Sequence, residues 1–90
     1  MKITYDQNKD AKNRSERNLP FAMVADLEWS SVVMLEDNRK DYGERRFRVF
    51  GIIAERLYAV VVTFCDNAVH VISFRKANER EIKRYGNQKK

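Results

Sequence analysis

Ala68-Val69-His70-Val71-Ile72-Ser73-Phe74-Arg75-Lys76-Ala77-Asn78-Glu79-Arg80-Glu81-Ile82-Lys83-Arg84-Tyr85-Gly86 is the stretch that decides how this chain folds. It opens as a strand, Val69 to Phe74, rich in β-branched residues. The strand ends in a basic pair, Arg75 and Lys76, and turns directly into a helix expected over Glu79 to Tyr85. Asn78 is suited to accept backbone N–H bonds at the helix start. Glu81, three residues on, is suited to reach back to the cap, which makes a capping box with Asn in place of Ser or Thr. Gly86 ends the helix. The junction sets two cations beside the positive end of a helix, where an anion such as phosphate is favoured.

Working outward, Cys65-Asp66-Asn67 reads as a turn. Arg56 to Phe64 is almost wholly apolar from Leu57 to Val62, as expected of a central strand covered on both faces. Glu44 to Ile53 alternates, with Phe47 and Val49 on one face and Glu44, Arg46 and Arg48 on the other. Trp29 to Leu35 is a further strand candidate, and Glu36 to Gly43 a charged link. Upstream, Asp6 is an N-cap for a polar helix over Gln7 to Arg17. Lys9, Asn13 and Arg17 lie along one exposed side of it, and Ala11 is nearly its whole apolar face. Asn18 suits a left-handed C-terminal position and Pro20 prevents continuation. Phe21 to Leu27 then forms a short helix with Phe21, Val24 and Leu27 inward. Residues 1–5 and 87–90 are expected to be extended or frayed, with Ile3 to Tyr5 as a possible short strand.

Short links between consecutive strands favour antiparallel neighbours. The expected fold is one α+β domain over residues 1–90. N-terminal helices and a C-terminal helix pack on one face of an antiparallel sheet of three or four strands, and Arg46 and Arg48 occupy the opposite face.

The 90 residues carry 18 Lys and Arg against 13 Asp and Glu, a formal net charge of +5, which suits an anionic partner with nucleic acid first. A core this small gains from a partner. One cysteine, Cys65, permits no intrachain disulfide, and one Cys with one His, His70, cannot build a four-ligand zinc site from these residue types. No metal or cofactor is expected. No apolar stretch approaches the roughly 20 residues of a membrane span. Met1 to Asp6 has no signal-peptide core, so a cytoplasmic location is the expectation.

Several motifs together resemble the BrnT family of bacterial toxins, over about Tyr5 to Tyr85. They are Tyr5-Asp6, Lys9 and Asn13, Phe21, Asp37-Asn38-Arg39, Tyr42-Gly43-Glu44-Arg45-Arg46, Gly51, and the closing run Ile72 to Asn78. The resemblance implies a metal-independent ribonuclease of RelE-like fold that cleaves RNA, mRNA being one candidate, and inhibits translation. It also implies a ribbon-helix-helix antitoxin as partner, with operator DNA contacted only through that antitoxin. Two departures stand out. Glu16-Arg17-Asn18 replaces the Lys-His-Gly that many members carry, and Cys65 replaces the Arg of a Thr-x-Arg pattern after the central strand. They leave an alternative reading, a catalytically inactive relative that binds an antitoxin or nucleic acid.

Metal-free RNA cleavage uses the 2′-OH as nucleophile. It needs a base, a cation for the pentacoordinate phosphorane, and an acid for the leaving 5′-oxygen. Guanidinium suits phosphate by its fork geometry and fixed charge. The candidate catalytic residues are therefore Arg46 and Arg75 as stabilisers, with His70 and Glu44 for proton transfer; Arg48, Lys76 and Arg80 are RNA-binding candidates. His70 is the sole side chain with an ordinary pKa near neutrality, although a flank of the sheet is the plainer role. Glu44 is equally a partner for Arg46. Simple alternation puts His70 with Ile72 and Phe74, and Ser73 and Arg75 with Val69 and Val71. Tyr85 is expected to pack its ring under the sheet.

Overall fold

A computed structural model describes residues 1–86 of the chain. Its elements run β1 (Lys2–Tyr5), α1 (Gln7–Arg17), 3₁₀ segments Phe21–Asp26 and Trp29–Ser31, β2 (Val33–Glu36), β3 (Phe47–Ile53), β4 (Arg56–Cys65), β5 (Ala68–Lys76) and α2 (Glu79–Tyr85). The class is α+β. The expected frayed tail, 87–90, lies outside the described residues.

The sheet corrects the expectation. It has five strands in the order β1-β5-β4-β3-β2, and it is mixed. β1 runs parallel to β5, from Lys2 opposite Ala68 to Tyr5 opposite Val71, while β2 to β5 form the antiparallel meander. The second expected helix is instead the 3₁₀ segment Phe21–Asp26, and β2 begins at Val33 rather than at Trp29. Phe21, Val24 and Leu27 do point inward. Their three-residue spacing is the 3₁₀ repeat, which aligns them on one side.

The helices also sit on opposite faces rather than together. Val49, Val60, Val62, Val71 and Phe74 meet Phe21, Val24 and Leu27 in the larger core. On the other face Phe50, Ile52, Leu57 and Ala59 pack with Ala77 and Tyr85. The Tyr85 ring stacks on Phe50 with centroids 4.2 Å apart, so α2 covers that second face.

α1 docks by polar contacts, which its lack of an apolar stripe did not suggest. Asp10 and Asn13 are buried, and Ala11 is exposed. Asn13 Nδ2 donates to the Leu19 and Phe74 carbonyls at 2.8 and 3.0 Å. Asp10 Oδ1 accepts the Phe21 N–H at 2.8 Å. The expected caps are present: Asp6 accepts from Asn8 and Lys9, and Asn18 is left-handed at φ 58°.

One irregularity sets the site. Val61 pairs with Ser73 and Val62 with Val71, so Ile72 is an extra residue in β5. Such a bulge resets the two-residue side-chain period. Phe74 therefore joins Val69 and Val71 in the larger core. Ser73 and Arg75 turn to the α2 face, which corrects the grouping that simple alternation predicts.

Candidate active site

On the α2 face the register builds successive rows of side chains. Phe50, Ala59 and Arg75 form one, Arg48, Val61 and Ser73 the next, and Thr63, His70 and Thr4 a third. Between the first two rows and α2 lies a small cleft of about 80 Å³, bordered by Arg39, Arg48, Ser73, Arg75 and Glu81.

Each cation is held differently. Arg75 Nη1 and Nη2 donate to the two Glu81 carboxylate oxygens at 2.8 and 2.9 Å. Glu81 also accepts the Asn78 N–H at 2.9 Å while its own N–H reaches Asn78 Oδ1 at 2.9 Å, completing the expected capping box. The Arg75 guanidinium is the main cause that holds the Glu81 carboxyl below its ordinary value, with the Asn78 N–H and Arg48 acting the same way. Arg39 is clamped by the buried Asp37 carboxylate at 2.7 and 2.8 Å, and Tyr42 donates its hydroxyl to Asp37 at 3.2 Å. That Arg39 contact keeps the Asp37 carboxyl well below the usual carboxylate range. Arg48 differs. Its Nε is buried and has no hydrogen-bond partner among the described residues. Two of the guanidiniums thus bring a carboxylate with them, and Arg48 supplies the surplus positive charge.

The other expected site residues fall elsewhere. His70 and Glu44 line a larger groove of about 770 Å³ at the open end of the sheet, with Thr4, Arg45, Thr63 and Cys65. His70 Nδ1 shares a hydrogen bond of 2.9 Å with Thr4 Oγ1. His70 and Arg75 lie five positions apart along β5, on the order of 15 Å at ~3.3 Å per residue. Arg46 donates to Glu44 at 3.1 Å and stacks 4.1 Å from the Tyr42 ring centroid, outside the cleft. Lys76 pairs with Tyr58 and so takes the larger-core side, next to Arg17 and Leu19; Arg80 lies on the outer surface of α2 beside Glu79 and Lys83. The basic pair of the sequence is therefore split between two faces. The Cys65 thiol is exposed, and the neighbouring Asp66 carboxylate pushes it up, which disfavours the thiolate.

Sequence reasoning missed Arg39 as part of the site and gave Glu81 only its capping role. The available signal for Arg39 was the Asp37-x-Arg39 spacing, which lets one carboxylate accept both the side-chain fork and the Arg39 N–H, the latter at 3.2 Å. Among the described residues, no three His, Cys, Asp or Glu side chains gather as a metal site, and no helix is long and apolar enough to cross a membrane.

A basic α+β domain with a guanidinium-lined cleft is equipped for phosphodiesters, and comparison with known families supplies the class: ribonuclease toxins of type II toxin–antitoxin systems. The model of that class that matches describes the ribonuclease toxin BrnT; it spans residues 5–81, and the chain belongs to this family. No curated protein matches the chain. Membership implies an antitoxin partner.

Proposed function

We propose that the chain is a metal-independent endoribonuclease that inhibits translation by cleaving RNA in the cytoplasm, and that the scissile phosphate sits in the Arg39–Arg48–Arg75 cleft. The observation that carries this is the buried, unpartnered Arg48 Nε. An unmatched buried donor costs about 1–3 kcal/mol, more for a charged group. A phosphate in the cleft sets an anion beside this guanidinium. Arg39 arrives pre-oriented by Asp37, and the Arg75 fork, held in place by Glu81 until phosphate takes its donors, supplies a bidentate partner for the phosphorane.

The 2′-oxygen attacks the phosphorus and the 5′-oxygen leaves, giving a 2′,3′-cyclic phosphate and a 5′-hydroxyl. Arg46 and Arg80, outside the cleft, suit flanking phosphates rather than the scissile one, while Lys76 lies on the opposite face of the sheet. The partner is a ribbon-helix-helix antitoxin that is acidic where it meets this face, and operator DNA is reached only through it. Association between them slows as salt rises, because charge steering is screened.

Purified protein incubated with RNA in EDTA tests the reading. Cleavage with 2′,3′-cyclic phosphate ends supports it, and cleavage abolished by EDTA overturns the metal-free mechanism. One observation favours a second reading. Cys65 occupies the groove beside His70 and Glu44 at the position where the family pattern has Arg, so the groove, although bordered by Lys2 and Arg45, has no arginine at that place. An inactive chain that gains cleavage with Cys65→Arg would establish a toxin disarmed there.

A further inference from the structure

Glu81 is the sole carboxylate bordering the cleft among the described residues, and it faces the guanidiniums of Arg75 on β5, Arg48 on β3 and Arg39 in the loop after β2. Its side chain is 15% exposed, and both of its oxygens are spent on Arg75, one of them also on the Asn78 N–H. The cleft holds only about 80 Å³, room for two or three waters at ~30 Å³ each. A phosphate that lies beside the Arg48 guanidinium in so small a space also reaches the Arg75 fork. That fork binds carboxylate and phosphate with the same bidentate geometry. Phosphate and Glu81 therefore compete for one set of donors.

Resting on the ribonuclease reading, we infer that Glu81 is the base that takes the 2′-OH proton, and that the scissile phosphate frees it for this task by replacing it on Arg75. On exchange, Oε1 keeps the Asn78 N–H and Oε2 loses its Arg75 partner. The contact that most strongly holds the Glu81 carboxyl down is the one that is lost, so the carboxylate becomes a better base when substrate arrives. The capping box keeps it beside the phosphate throughout. In the step itself the 2′-O–H proton passes to Glu81, the 2′-oxygen forms the bond to phosphorus, and the P–O5′ bond breaks with its electron pair on the 5′-oxygen. Water protonates that oxygen, and Glu81 returns its proton to solvent. Glu44 and His70, in the neighbouring groove, lie outside the cleft in which this transfer occurs.

The test separates binding from chemistry in Glu81→Gln, using the full chain. Gln serves at the same position of a capping box, so the helix start is kept. Inorganic phosphate is titrated against both proteins by NMR, and single-turnover RNA cleavage is timed. The expected result is opposite movement: tighter phosphate binding, since no carboxylate competes, and cleavage slower by about 10²–10⁴. Cleavage within about threefold of the parent overturns the inference and leaves the ribonuclease reading standing, since a general base is worth far more. Joint loss of phosphate affinity and cleavage also overturns it, because Glu81 then only positions Arg75. A parent chain that binds phosphate but cleaves no RNA overturns both. Glu81→Asp, with charge retained and reach shortened, gives an independent reading: it keeps more activity than Glu81→Gln if the carboxylate is the base, and equal loss in both variants contradicts that role.

Discussion

Asp37 and Arg39, two residues apart, form a double hydrogen bond of 2.7 and 2.8 Å in which the carboxylate side is 1% exposed and the guanidinium side 63% exposed. The buried partner is the anchor, and the exposed one is presented at the mouth of the cleft. This sets a pH dependence. Arg39 depresses the Asp37 carboxyl in the folded state, so the stabilisation is complete above the unfolded carboxylate value of about 3.9 and is lost as pH falls below it. Glu36 and Glu81 act with the same sign. The melting temperature of Asp37→Asn should therefore fall less steeply than the parent's between about pH 5 and pH 3. Parallel curves would remove Asp37 as a source of acid sensitivity.

The β3–β4 turn is made by Ala54 and Glu55 at φ 48° and 69°, where neither residue is comfortable. Consecutive positive φ values are the mark of a type I′ hairpin turn, which favours Asn-Gly. Replacing the pair with Asn-Gly should raise stability by about 1–2 kcal/mol, on the order of the penalty for left-handed L-residues. Urea denaturation would show a higher midpoint at unchanged slope; a lower midpoint would count against strain at this turn.

Asn13 is the polar peg that fixes α1 to β5 through the Phe74 carbonyl. Asn13→Leu leaves that carbonyl and the Leu19 carbonyl unpaired in a buried place. A loss of about 2–4 kcal/mol is expected, since each orphaned group costs about 1–3 kcal/mol and the leucine recovers part by apolar burial. Equal stability would mean that α1 is held by other contacts.

These contacts explain which parts of the fold were legible. The apolar run Leu57 to Val62, the Asp66-Asn67 turn and the Asn78–Glu81 box are local signals, and each appears in place. β1 was not legible as part of the sheet, because its partner begins at Ala68 and no short link announces a parallel pairing over that separation. The polar docking of α1 looked like solvent exposure, since Asp10 and Asn13 carry no apolar signature. At the site, plain alternation separated Arg48 from Val49, but the face of Arg48, expected to be opposite all the helices, is the one that α2 covers. Arg75 was grouped with the wrong residues, because the extra residue Ile72 flips the period within β5. Arg39 sits in a loop without any period and became visible only through its carboxylate anchor.

Asp66 beside Cys65 offers a simple electrostatic check. Its carboxylate raises the thiol, so Asp66→Asn should increase the thiolate fraction and speed alkylation by iodoacetamide at neutral pH. An unchanged rate would show that the charge is fully screened at this exposed turn.

The most direct test of the account is the effect of Arg48 on RNA cleavage in EDTA, measured as kcat/KM for the parent, Arg48→Ala and Arg48→Lys. If the Arg48 guanidinium meets the scissile phosphate, Arg48→Ala loses about 10²–10³, the magnitude seen when one preorganised oxyanion donor is removed. Arg48→Lys recovers only part of this, because a point charge lacks the fork. Cleavage by a correctly folded Arg48→Ala protein at the parent rate would contradict the arginine cleft as the site of reaction.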